Sequence, residues 1–128
     1  MRTFSKRKVL LLSAVLLGLS GPLWAAEPAM EKDGMLVDAK GMTLYTYDKD
    51  SKGMSSCTEA CAQNWPPLMA PAGAKAEKEW SLVKRADGSQ QWAYDGKPLY
   101  TFSMDKQPGE MSGDGKMGVW HMAKPDEY

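Results

Sequence analysis

The sequence predicts a mainly β fold, in which two hairpin-based repeats of about 55 residues pack as one pseudo-twofold domain with a short helix near residues 56–63. Three observations predict it. The stretch GMTLYTYDKD at residues 41–50 returns as GKPLYTFSMD at residues 96–105. Turn signals rich in aspartate and glycine separate runs of aromatic, β-branched and aliphatic residues, which is the pattern of tight hairpins. Alternation along those runs puts bulk on both faces, and a two-stranded hairpin alone leaves such faces uncovered.

The repeat is specific. At an offset of 55, Gly41/Gly96, Leu44/Leu99, Tyr45/Tyr100, Thr46/Thr101, Tyr47/Phe102, Asp50/Asp105 and Trp65/Trp120 match without a gap. Repeat one is placed at about residues 34–69, a connector at 70–79 and repeat two at about 80–124, within a single domain spanning 26–128. Trp65 and Trp120 are candidate core residues.

Taken in order, the chain opens with a basic segment containing Arg2, Lys6, Arg7 and Lys8, an apolar run from Val9 to about Leu19 and small residues near Ala25. That layout predicts a signal peptide over residues 1–25, and the run is too short for a transmembrane helix. Residues 26–33 and 125–128 are polar, lack periodicity and are expected to be disordered. Asp38 to Gly41 predicts a turn between the two strand-like runs of MLVDAKGMTLYTY, with Tyr45 and Tyr47 on one face and Leu44 and Thr46 on the other. Ser55 or Ser56 is expected to cap the short helix, with Glu59 in its first turn, and Trp65-Pro66-Pro67 must end it. The connector reads as a short charged helix. Asp87-Gly88 and Asp95-Gly96 predict two-residue turns in a three-stranded meander over residues 80–103.

Composition limits the partners. Without residues 1–25 the chain keeps 12 basic and 16 acidic side chains, a mildly acidic balance without a basic cluster. Nucleic acid is therefore not an expected partner. No transmembrane segment remains after signal cleavage, and no cysteine near the cut offers a lipid anchor. The localisation expected is periplasmic or secreted.

The segments Tyr45-Thr46-Tyr47-Asp48-Lys49-Asp50 and Tyr100-Thr101-Phe102-Ser103-Met104-Asp105, followed in the first copy by CTEACAQNWPPL, resemble a bacterial secreted-repeat family often labelled "predicted lipoprotein". The likeness covers roughly residues 34–124 and carries a Tyr-x-aromatic-x-x-Asp motif twice. It implies membership of a family without an assigned activity, so Tyr45, Tyr47, Asp50, Tyr100, Phe102 and Asp105 enter as family motif residues. The chain departs from the label by lacking a lipid-bearing cysteine.

Cys57 and Cys61 belong to one copy only. In an exported protein they predict a disulfide that pins the loop between Asp50 and Trp65. The alternative is a periplasmic copper-binding or copper-delivery site in which both thiolates are ligands, with Met54, Met111, His121 and Met122 as helpers, since thiolate and thioether sulfur suit Cu(I). Disulfide-exchange catalysis fits less well, because neither a Cys-x-x-Cys pair nor a βαβ pattern is present. Asp48 to Glu59 matches a calcium loop at four positions but places Lys52 where a ligand belongs and follows a strand instead of a helix. Asp50 and Asp105 are expected to hold the loops that follow them by accepting backbone N–H bonds. A functional alternative has them line a groove with the aromatic side chains. His121, the single histidine, forms no recognisable catalytic triad. The reading is an exported non-catalytic binding or envelope-associated module, without a cofactor unless it is copper, acting on an unknown ligand or envelope protein.

Overall fold

The computed structural model describes residues 28–125. The expected signal peptide, its cleavage site and residues 126–128 lie outside the described residues. Among the described residues, eight short strands form small antiparallel sheets, joined by one short α-helix and a 3-10 turn at Lys116–Gly118. The elements are β1 (Met30–Lys32), β2 (Met35–Val37), β3 (Tyr45–Tyr47), α1 (Ala60–Asn64), β4 (Met69–Ala70), β5 (Trp80–Lys84), β6 (Gln90–Tyr94), β7 (Lys97–Pro98) and β8 (Trp120–Met122).

The turn chemistry explains most of the pairing. Asp95 and Gly96 both have positive φ, 54° and 80°, as a type I′ turn between β6 and β7 requires. Asp33 and Gly34 do the same at 54° and 82°, and they fold Met30–Lys32 back onto Met35–Val37. The polar end expected to be disordered up to residue 33 therefore contains β1; its Asp-Gly dipeptide was the overlooked signal. Asp38 accepts bonds from the Lys40 and Met42 amides, both at 2.9 Å, and fixes the next turn as the sequence predicts. At Asp87-Gly88 only the glycine is left-handed, with φ 90°, and the Arg85 amide bonds the Ser89 carbonyl at 2.8 Å. The turn is thus longer than the two-residue form expected.

The two predicted helices fare differently. The short helix begins at Ala60, later than expected, with Glu59 before it at φ 55° and no side-chain cap. Ser55 and Ser56 are engaged elsewhere. The Ser56 amide bonds Asp50, and the Ser55 hydroxyl meets the Tyr100 phenol. The connector forms no helix; it makes turns, including a reciprocal pair of 2.9 Å bonds between Glu77 and Trp80.

The repeats are joined by a reciprocal exchange. β3 of repeat one pairs antiparallel with β8 of repeat two, Tyr45 facing Met122 and Tyr47 facing Trp120. On the other side, Tyr100 of repeat two bridges Pro67 of repeat one, and the Thr101 amide bonds the Pro66 carbonyl at 2.8 Å. Each tryptophan-bearing tail lies against the tyrosine strand of the other copy. Between the two halves, Tyr45 and Tyr100 exchange both backbone bonds, at 2.7 and 3.0 Å, and so mark the local twofold axis.

The two faces predicted from alternation bury separately. Tyr45, Cys57, Trp65, Tyr100, Phe102 and Trp120 form an aromatic core. Leu44 and Leu99 join Ala29, Leu36 and Ala123 in an aliphatic one. The exchange is what makes both continuous across the repeats.

Candidate functional site

Each motif residue finds its partner in the opposite copy. The Tyr45 phenol donates to Asp105 Oδ2 at 2.5 Å, and the Tyr100 phenol donates to Asp50 Oδ2 at 2.7 Å. The other oxygen of each carboxylate holds the following loop. Asp50 Oδ1 accepts the Ser56 amide at 2.6 Å, while Asp105 Oδ1 accepts the Ser112 amide at 3.0 Å and the Ser112 hydroxyl. Each aspartate therefore ties its own loop to the other copy's strand.

The aromatic members obey the same symmetry. Tyr47, Trp120, Trp65 and Phe102 form one continuous stack with centroid separations of 4.2, 3.7 and 4.1 Å. Tyr45 meets Trp65 edge-on at 5.5 Å, and Tyr100 meets Trp120 edge-on at 5.3 Å. Gly113 backs this stack so closely that a Cβ there would lie 2.8 Å from the Trp65 ring, a rigid neighbour that cannot turn aside.

Burial sets the protonation of this centre. Desolvation, reinforced by the bond to Asp105, raises the Tyr45 pKa. Desolvation likewise raises that of Tyr100, so both phenols keep their protons and act as donors. Half-burial also raises the Asp50 pKa, although the Ser56 amide, the Tyr100 phenol and the Arg85 charge oppose the rise.

Repeat one carries an addition without a counterpart in repeat two. Cys57 and Cys61 are joined as a disulfide, with Cα atoms 5.2 Å apart. The chain-entropy model gives so short a loop about 2 kcal/mol. Arg85 clasps this loop, its guanidinium donating to the Cys57 carbonyl at 2.8 Å, to Ser55 Oγ at 3.2 Å and to Gln91 Oε1 at 2.6 Å. Gln91 is fully buried and donates to the Leu99 carbonyl at 2.8 Å. Sequence reasoning missed both residues. The available signal was a glutamine at an inward position of β6, since a buried amide requires partners.

The residues weighed for copper sit apart in role. The two cysteine sulfurs are bonded to each other, so neither is a thiolate in this state. His121, on β8, bonds Asp48 at 2.8 Å. Met122 packs against the aromatic core, whereas Met54 and Met111 are exposed. Among the described residues, no group of three or more His, Cys, Asp or Glu side chains is arranged to hold a metal ion.

The groove imagined from the sequence forms in altered shape. Tyr45, Tyr100, Phe102 and Asp105 are buried and line no open groove. A polar groove instead crosses the outer side of β3. Its two depressions, of about 340 and 280 Å³, share Thr46, Asp48, Asp95 and Lys97. Tyr47, Asp50 and Lys52 line one end, and His121 and Lys124 line the other. Both carboxylates, from Asp48, Asp50 and Asp95, and cations, from Lys52, Lys97 and Lys124, line it.

A family model described as a secreted repeat of unknown function matches residues 28–69 and again residues 81–124. No curated protein and no solved structure shows a significant match to the chain. Among the described residues, no helix is long and apolar enough to cross a membrane.

Proposed function

We propose, from the premise that the chain belongs to this family of secreted repeats, that it is an exported, non-catalytic binding module of the periplasm or cell envelope. The observation carrying this reading is that the repeated motif is consumed internally. Every phenol and carboxylate of the two Tyr–Asp pairs already has a partner inside the fold, which leaves no poised acid, base or nucleophile among them. The motif is scaffold, and recognition falls to the polar groove that the scaffold holds open. A small ligand bearing both an ammonium or hydroxyl donor and an anionic group suits the joint presence of Asp48 and Asp95 with Lys97 and Lys124. Amino sugars and short peptides have that chemistry.

Titrating such compounds while following amide chemical shifts tests the reading. Shifts should centre on Thr46, Asp48, Asp95 and Lys97, and Asp48→Ala combined with Lys97→Ala should weaken binding at least tenfold. Shifts centred elsewhere, or binding unchanged in that variant, would remove the groove from the account.

A further inference from the structure

Among the described residues, every large apolar or aromatic side chain that is exposed is a methionine. Met30, Met54, Met69, Met104, Met111 and Met117 are between 46% and 78% accessible, while every described leucine, valine, phenylalanine, tyrosine and tryptophan is buried or half-buried. Scattered apolar residues on a surface are ordinary, but chance does not favour one residue type so completely. Packing cannot explain the choice, because these side chains are the least packed of their class. Backbone preference cannot explain it at Met117, which has φ 52°, in the left-handed region that favours glycine or asparagine, and is 78% accessible. What sets methionine apart from leucine at such positions is its thioether sulfur.

The rest of the molecule makes these thioethers its most accessible oxidisable groups. Among the described residues there is no free thiol, since Cys57 and Cys61 are bonded to each other. Trp65 and Trp120 are buried in the aromatic core, and Trp80 and Trp92 are half-buried, each less accessible than the six methionines. A reactive oxidant arriving from solvent therefore meets methionine sulfur first.

We propose that the six exposed methionines form a sacrificial surface for two-electron oxidants such as hypochlorous acid and hydrogen peroxide. Each thioether gives up two electrons and gains one oxygen atom, becoming a sulfoxide. Hypochlorous acid is reduced to chloride with release of a proton, and hydrogen peroxide is reduced to water. Because the six side chains lie outside both cores, the fold survives their conversion to polar sulfoxides. Met35, which is buried on β2, is spared. The reaction class that restores the surface is two-electron reduction by a methionine sulfoxide reductase.

The test treats the folded protein with increasing hypochlorite, then reads intact mass, oxidised positions by peptide mapping, and the near-ultraviolet circular dichroism of the core. Uptake of six oxygens at the six exposed methionines is expected, with buried Met35 and part-buried Met42 and Met122 unmodified, the spectrum unchanged and the original mass recovered by a sulfoxide reductase. In a competition with a methionine-containing reporter peptide, the protein should shield the reporter, and a variant with all six exposed methionines changed to leucine should shield it at least threefold less. Oxidation of Met35 or of tryptophan with loss of the spectrum before the six positions fill would overturn the proposal. Equal shielding by the leucine variant would overturn it as well.

Discussion

Trp120→Ala is expected to lower stability by about 3–5 kcal/mol, the range for removing a large buried aromatic side chain. In a domain of this size that is a large part of the whole, so the variant should populate unfolded chains at room temperature. The ring is 1% exposed, stacks on Trp65 and Tyr47, and receives the edge of Tyr100. Its loss opens a gap at the centre of both repeats at once. Urea denaturation followed by near-ultraviolet circular dichroism measures the effect. Trp80→Ala is the control, since Trp80 lies half-buried beside Trp92 and Tyr94, outside the four-ring stack, and should cost clearly less.

Tyr45→Phe should cost about 2–3 kcal/mol although it removes a single oxygen atom. Asp105 is 6% exposed, and without the phenol its Oδ2 loses the donor that makes burial of the carboxylate tolerable. The Gly113 amide also loses its 3.2 Å acceptor. The interaction is best isolated by a double-mutant cycle with Asp105→Asn, in which a coupling of at least about 1 kcal/mol is expected across a sequence separation of 60 residues. The matching exchange at Tyr100 and Asp50 should couple less strongly. Asp50 is only partly buried, and Ser55 and Arg85 offer the Tyr100 phenol and its surroundings alternative bonds.

Much of this architecture was legible in the sequence because it rests on local chemistry and on duplication. Asp95-Gly96 declared its turn, alternation at Leu44 to Tyr47 separated the two cores, and the 55-residue offset revealed the pseudo-twofold arrangement. The exchange itself was not legible. Nothing in the spacing of Tyr45, Asp50 and Trp65 distinguishes a motif that closes on itself from one that closes on its copy, since both satisfy the same donors and bury the same rings. The helix start was misplaced for a related reason. Ser55 and Ser56 have good capping chemistry, but the Tyr100 phenol engages the Ser55 hydroxyl from 45 residues away, and the Ser56 hydroxyl donates to the Lys49 carbonyl while its amide bonds Asp50. Arg85 went unnoticed because a single arginine at the start of a turn, just after β5, has no local signature. The methionine content was visible, whereas its concentration on the surface became apparent only with the fold.

The central claim is that neither repeat is a folded unit without the other. A single protease site placed in the exposed connector near Ala74 to Ala76, cut after folding, tests it most directly. The account predicts that the two halves stay together through size-exclusion chromatography in native buffer, retain the near-ultraviolet spectrum of the uncut protein, and lose that spectrum when denaturant parts them. Halves that separate in native buffer, each keeping its own share of the folded spectrum, would contradict it.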